Sequence, residues 1–387
     1  MESRWKQAWD RWTALFEIGG RGRIVPMEGL RGIAILMVLL VHHATRFAGW
    51  AEPGSWTAAY AGFAHAAGQA GVDLFFALSG YLVYSLALQR RVGLGGFIGR
   101  RLRRIYPPFL AMMAVYVAMF VAIPGVAKWP EGGEATYVVR SLLLLPGVFD
   151  MPAVMTVAWS LSYELAFYLV MPLAVVALRM ERWRRVERVG LIAGLAAVYV
   201  AGMMAWFPGQ LEWIPLKVWD RPRILLFAAG MLAWEQFDSF KDKRAGGWAQ
   251  GLAAALMAGA VAACYPLADP AYQQPWPSIV RTLLLGAGSY ALMLASFSGE
   301  GRLAGALSAA GLRWLGNCSY SFYLAHSLGV HAAGLLAERA LPAAEWQGAG
   351  FWLMLPVTAV LASLATLPLY LFVERPFSLR RPALRGG

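Results

Sequence analysis

Ten apolar runs, most of them about twenty residues long, recur along the chain between short polar or charged segments. They fall at 30–49, 68–89, 106–124, 154–178, 189–207, 222–236, 249–266, 279–297, 312–337 and 350–373. A helix rising about 1.5 Å per residue needs about 20 such residues to cross the hydrocarbon core of a bilayer, so each run reads as a membrane span. The sixth is short and cut into by Pro222, and Tyr137–Leu145 offers a further half-span. The pattern predicts an all-α, polytopic membrane helix bundle of about ten transmembrane helices. An even number puts both termini on one side. The expected organisation is a basic N-terminal segment at 1–29, a membrane domain at 30–373 and a basic tail at 374–387.

Composition agrees. Of 387 residues, 59% are hydrophobic and 14% charged, and the mean hydropathy is +0.52. An ordinary soluble domain is about 25% charged, so this chain lacks the polar groups to cover itself in water. The net charge of +12 is spread between the apolar runs and not gathered in a hydrophilic domain, which excludes nucleic acid as the expected partner. Cys264 and Cys318 both lie inside apolar runs, so neither a disulfide framework nor a thiolate metal site is expected. The first thirty residues are polar and carry Arg4, Lys6, Arg11, Arg21 and Arg23, without a cleavable apolar leader, and the first span is expected to be retained.

The positions of the charges set the orientation. With the N-terminus inside, 25 of the 34 lysines and arginines fall in inner segments and eight in outer ones, the remaining one being Arg31 within the first span. Positively charged loops stay cytoplasmic, so both termini are expected there and the protein in the cytoplasmic membrane. The connecting segments are too short for another domain, and any chemistry must use the bundle itself.

Ionisable side chains at membrane depth cost about 2.5–3.5 kcal/mol each on insertion scales and mark functional sites by default. Here they are Arg31 and His42 in the first span, Asp73 in the second, Glu164 in the fourth and His326 in the ninth, with His43 and His331 beside them. Arg31 and His42, eleven positions apart, share one helix face about three turns apart. His42, Glu164 and His326 reach similar depth on three helices, which favours a shared polar cavity near the midplane over helix-packing glue. The inner run Phe97-Ile98-Gly99-Arg100-Arg101-Leu102-Arg103-Arg104 suits either a positive-inside anchor or a phosphorylated ligand gripped together with Arg31. Val72-Asp73-Leu74 through Ser79-Gly80-Tyr81 opens the second span from outside, where Asp73 would line the approach of a polar acceptor. Aromatic residues crowd the outer segments, as interface belts do.

Taken together these segments resemble the acyltransferase-3 family of integral membrane acyltransferases. Met27-Glu28-Gly29-Leu30-Arg31-Gly32-Ile33-Ala34 with His42 resembles its opening motif, and Val72 to Tyr81 its second-span motif. Arg101 and Arg104 resemble its Arg-x-x-Arg loop, and Trp159 to Glu164 with Phe167 and Tyr168 its fourth-span motif. Leu315 to His326, and Glu374-Arg375-Pro376, follow in order. The resemblance covers nearly the whole chain. It implies O-acetyl transfer from cytoplasmic acetyl-CoA, or another acyl-CoA, as co-substrate to a hydroxyl of a cell-envelope or exported carbohydrate, lipid-linked or not. It also implies a stand-alone member lacking the fused extracytoplasmic hydrolase-like domain of some relatives, with room for a separate partner enzyme.

On this reading CoA phosphates sit on Arg101, Arg104 and Arg31. His42 acts as general base, oriented by Glu164, or becomes transiently acylated. Asp73, Ser79, Tyr320 and His326 are candidates to hold substrate or the oxyanion. The rival readings are a transporter or flippase for a lipid-linked sugar, and a non-catalytic partner in polysaccharide assembly. A transporter is expected to show internal repeats, which the sequence does not.

Overall fold

The computed structural model describes residues 6, 13–17, 23–89, 93–123, 133–149, 151–206, 222–237, 245–268, 274–340 and 346–379. Among these residues the elements are helical, apart from one isolated bridge between Pro146 and Phe149. In chain order they are α1 (Val25–Phe47), α2 (Trp56–Gly68), α3 (Ala70–Leu88), α4 (Leu94–Ala122), α5 (Glu134–Leu142), α6 (Trp159–Ala177) and α7 (Arg185–Trp206). There follow α8 (Ile224–Phe237), α9 (Gly247–Ala263), α10 (Pro275–Ser296), α11 (Arg302–Leu307), α12 (Ala310–Asn317), α13 (Ser319–Ala340) and α14 (Ala349–Leu369), which runs into a π-helical turn at Tyr370–Leu379.

Every predicted span falls on a helix. Among the described residues, seven stretches are long and apolar enough to cross a membrane: Val25–Trp50, Trp56–Leu88, Leu94–Ala122, Thr156–Ala177, Arg185–Ala205, Pro275–Ser296 and Ala349–Leu379. The protein is therefore an all-α, multi-pass integral membrane bundle. Helices α8 and α9 are apolar but shorter, at 14 and 17 residues, and α13 carries His326, His331, Glu338 and Arg339. The second span begins earlier than its hydropathy suggests, at Trp56, because Ser55 caps α2 by accepting from the Ala58 N–H at 3.2 Å. The ninth run divides at Cys318 into α12 and α13. Tyr137–Leu145 forms no half-span; α5 is nine residues long and ends at Leu142.

Small residues let backbones meet. A side chain at Gly80 would run into the Phe227 carbonyl and one at Gly230 into the Ala77 carbonyl, so α3 and α8 cross in direct backbone contact. The same holds for Gly316 against the Glu28 carbonyl and Gly29 against the Leu307 carbonyl, which seat α11 and α12 on the first turns of α1. Glu28 locks that junction. Its carboxylate pairs with Arg23 at 2.5 Å and Arg313 at 3.4 Å and accepts from Asn317 Nδ2 at 3.1 Å. At the periphery, α7 is 11% buried along its apolar window. Arg188 ties it to Glu235 of α8 through two bonds of 2.5 and 2.9 Å, and Tyr84 of α3 donates to the same carboxylate at 2.5 Å.

Candidate active site

Helical spacing sorts the four arginines of α4. Arg100 and Arg103 are exposed, whereas Arg101 and Arg104, three positions apart, turn together into a cavity between α1, α3, α4, α6 and α13. Arg31 of α1 lines the same cavity, with Ser79, Ser160, Glu164, Tyr168, Tyr320 and Tyr323. Its volume is about 120 Å³, within an open-mouthed space of about 850 Å³.

The arginines differ in what holds them. Arg104 pairs with Glu374 of the π-helical turn at 2.7 Å, and Glu374, fully buried, also accepts from the Ser321 N–H at 3.0 Å and the Ser321 hydroxyl at 2.6 Å. Arg101 lies over the rings of Phe97 and Tyr168, each at 5.3 Å. Among the described residues neither Arg31 nor Arg101 has a carboxylate within ion-pair distance. Glu164, on the same cavity, accepts from Ser79 Oγ at 2.8 Å and Tyr168 Oη at 3.2 Å. Three guanidiniums thus meet two carboxylates, one of them committed to Arg104. The surplus positive charge stands on Arg31 and Arg101, a setting for a phosphorylated anion.

The histidines form a second group. His42 and His326 meet edge to face with ring centroids 4.6 Å apart. His42 Nδ1 donates to the Val38 carbonyl at 2.8 Å, and His326 Nδ1 donates to the Tyr323 carbonyl at 2.8 Å and the Phe322 carbonyl at 3.1 Å. A carbonyl only accepts, so both neutral rings carry their proton on Nδ1 and present the Nε2 lone pair. His326 Nε2 is buried without a hydrogen-bond partner. The orienting group expected for His42 was Glu164. In the structure His42 Nδ1 bonds to the helix's own backbone, one turn back, and Glu164 accepts from Ser79 and Tyr168. His43 is structural, with Nδ1 3.1 Å from the Thr358 hydroxyl and Nε2 3.1 Å from the Phe351 carbonyl. His331 is exposed.

Asp73 does not open outward. It is 2% exposed and pairs at 3.4 Å with Arg223, whose guanidinium also donates to Gln69 Oε1 at 2.9 Å and lies 4.4 Å over the Trp159 ring. Tyr320 lines the cavity, but its hydroxyl donates to the Ile105 carbonyl at 2.6 Å. Ser79 and Arg31 both line the cavity. The reading of the spans missed Arg223 as the partner of Asp73 and Glu235 as a buried acid. Both lie at the ends of the short sixth run, where charges pass for loop residues. Glu374 was legible as part of a motif but not as the clamp on Arg104, a contact across 270 positions.

The sequence model of one protein family, described as an acyltransferase domain, matches residues 25–374. The exopolysaccharide production protein ExoZ of Rhizobium meliloti is 28% identical over 82% of this chain and 92% of its own length. The putative membrane-bound transacylase BcsY of Komagataeibacter xylinus is 28% identical over 84% of this chain and 78% of its own. The peptidoglycan O-acetyltransferase OatA of Listeria monocytogenes is 30% identical over 39% of this chain and 24% of its own. No solved structure matches.

Proposed function

Since the chain belongs to the acyltransferase-3 family, we propose that it is an O-acetyltransferase drawing on acyl-CoA, acetyl-CoA first, and delivering the acyl group to a hydroxyl of an envelope or exported carbohydrate. The acyltransferase class follows from the family. The donor, the acceptor and the residue roles are this reading's own. What carries it is the cavity in which Arg31 and Arg101, among the described residues, stand without a carboxylate at ion-pair distance, with a histidine pair beside Tyr323 of its wall. Such a cavity suits the phosphates of CoA, and each charge-assisted contact is worth about 1.5–3 kcal/mol. Arg104, already neutralised by Glu374, shapes the site more than it adds charge. The carbohydrate acceptor draws support from two relatives, one named for exopolysaccharide production and one for peptidoglycan O-acetylation.

In this reading the cavity opens to the cytoplasm, both termini lie there, ten helices span the cytoplasmic membrane, and the acceptor, lipid-linked or not, arrives from outside. The Nε2 lone pair of His42 takes the acceptor hydroxyl's proton as its oxygen attacks the thioester carbonyl. Collapse of the tetrahedral adduct expels the CoA thiolate, which regains a proton from the imidazolium. Alternatively His42 Nε2 attacks the thioester first and expels the CoA thiolate, and the acceptor oxygen then takes the acyl group from the imidazole as its hydroxyl proton passes to the thiolate. Either way Glu164 belongs to the donor cavity and His326 to the chemistry.

The test is transfer itself. Purified protein in lipid, radiolabelled acetyl-CoA and a glycan mixture should give alkali-labile label in carbohydrate. Movement of a lipid-linked sugar across vesicles without labelling would establish the transporter instead.

A further inference from the structure

The arginine cavity and the histidine pair are neighbours but not one space. Ser160 and Tyr323 line the cavity, and neither His42 nor His326 contributes to it. On the α1 side, Ala34, Ile35 and Val38 are fully buried and Leu39 nearly so, which closes any passage along that helix. Tyr323 touches both groups, whereas Phe322, stacked 6.1 Å from the His326 ring, does not line the cavity. Tyr323 lines the cavity on one side, and its ring lies 6.0 Å from that of His326, one turn further along α13. Its hydroxyl is held at both ends of its hydrogen-bonding capacity. It donates to the Val157 carbonyl at 2.7 Å and accepts from Ser160 Oγ at 2.8 Å, which fixes α13 to the start of α6. Beyond it, His326 Nε2 is a buried acceptor with no donor, a state folded proteins seldom leave uncompensated.

We propose that Tyr323 is a gate between the arginine cavity and the His42–His326 pair, latched by Val157 and Ser160, and that whatever passes from one to the other requires it to swing aside. The swing breaks both hydrogen bonds and takes the ring to another of its staggered rotamers. Swung out, the phenol leaves the Val157 carbonyl and the Ser160 hydroxyl free for an incoming polar group and joins the two spaces. The gate rests on the proposed reading only where it names the cavity as the donor's compartment. It bears on the acyl chain, since the width opened by one tyrosine sets how bulky a group passes.

Site-directed labelling tests it without reference to catalysis. In a background lacking Cys264 and Cys318, His42→Cys is exposed to a sulfonated methanethiosulfonate on each face of sealed vesicles, of both orientations. Ser79→Cys, a cavity-lining position, reports that the reagent has arrived. From the face that labels position 79, labelling of position 42 should be slow with Tyr323 present and faster with Tyr323→Ala. If the closed state holds about 90% or more of the population, the rise is roughly tenfold or greater. Tyr323→Phe, which keeps the ring and loses the latch, should fall between and decides the matter if the alanine variant does not fold. Equal rates at position 42 in the folded variants overturn the gate, and so does failure to label position 79 from either face. Loss of acetyl transfer in the assay above would leave this result untouched, so the two readings fail separately.

Discussion

At the scale of the residue, similar side chains acquire different work from their partners. Among the described residues Arg31 and Arg101 have no carboxylate at ion-pair distance, so replacing either with alanine should weaken acetyl-CoA binding by about 10- to 100-fold, the equivalent of about 1.5–3 kcal/mol, with folding intact. Titration calorimetry reads this directly. Arg104→Ala should behave otherwise. It leaves Glu374 buried and unpaired, a loss of about 3–5 kcal/mol visible as a lower melting temperature in detergent. Glu164→Gln separates two accounts of the carboxylate. Because Glu164 binds Ser79 and Tyr168 and not His42, the substitution should change the KM for the donor while kcat stays within about tenfold. A partner of the general base would lose on the order of 100-fold or more in kcat. The sequence marked most of these residues, since an ionisable group in an apolar run stands out against its neighbours. It was silent on pairings, because depth along separate helices says how high two groups lie and not which way they turn. That is why Glu164 and His42 were legible as members of one site and not as members of two neighbouring groups.

At the scale of the element, the spans were readable because hydropathy and length are local properties of the chain. The departures have local causes too. A serine cap starts the second span early, and a division at Cys318 separates α12 from α13. The short α8 is the informative case. With 14 residues, too few to cross a bilayer alone, it owes its place to the backbone crossing at Gly80 and Gly230 and to the acid at its end. Glu235 holds Arg188 and Tyr84, and through Arg188 it retains the largely lipid-exposed α7. Glu235→Ala should destabilise the protein by about 3–5 kcal/mol, measured as a fall in melting temperature and as proteolysis ahead of α7. The Arg188→Met, Glu235→Leu pair, which removes both charges, should recover much of that loss.

At the scale of the whole molecule, the chain is a membrane bundle arranged around two adjoining polar groups. One holds cationic side chains on a cavity wall, and the other holds two histidines whose tautomers are set by backbone carbonyls. The account's topology, with ten spans and both ends cytoplasmic, predicts that reporters fused at residue 1 and after residue 379 are accessible from the same face. Its central claim is that His42 performs the transfer on a donor bound by the arginines. The most direct measurement is paired, with binding and turnover of radiolabelled acetyl-CoA recorded on the same preparation of the wild type and His42→Ala. The account predicts an unchanged dissociation constant together with loss of acetyl transfer to carbohydrate. Near-normal transfer by His42→Ala would contradict it.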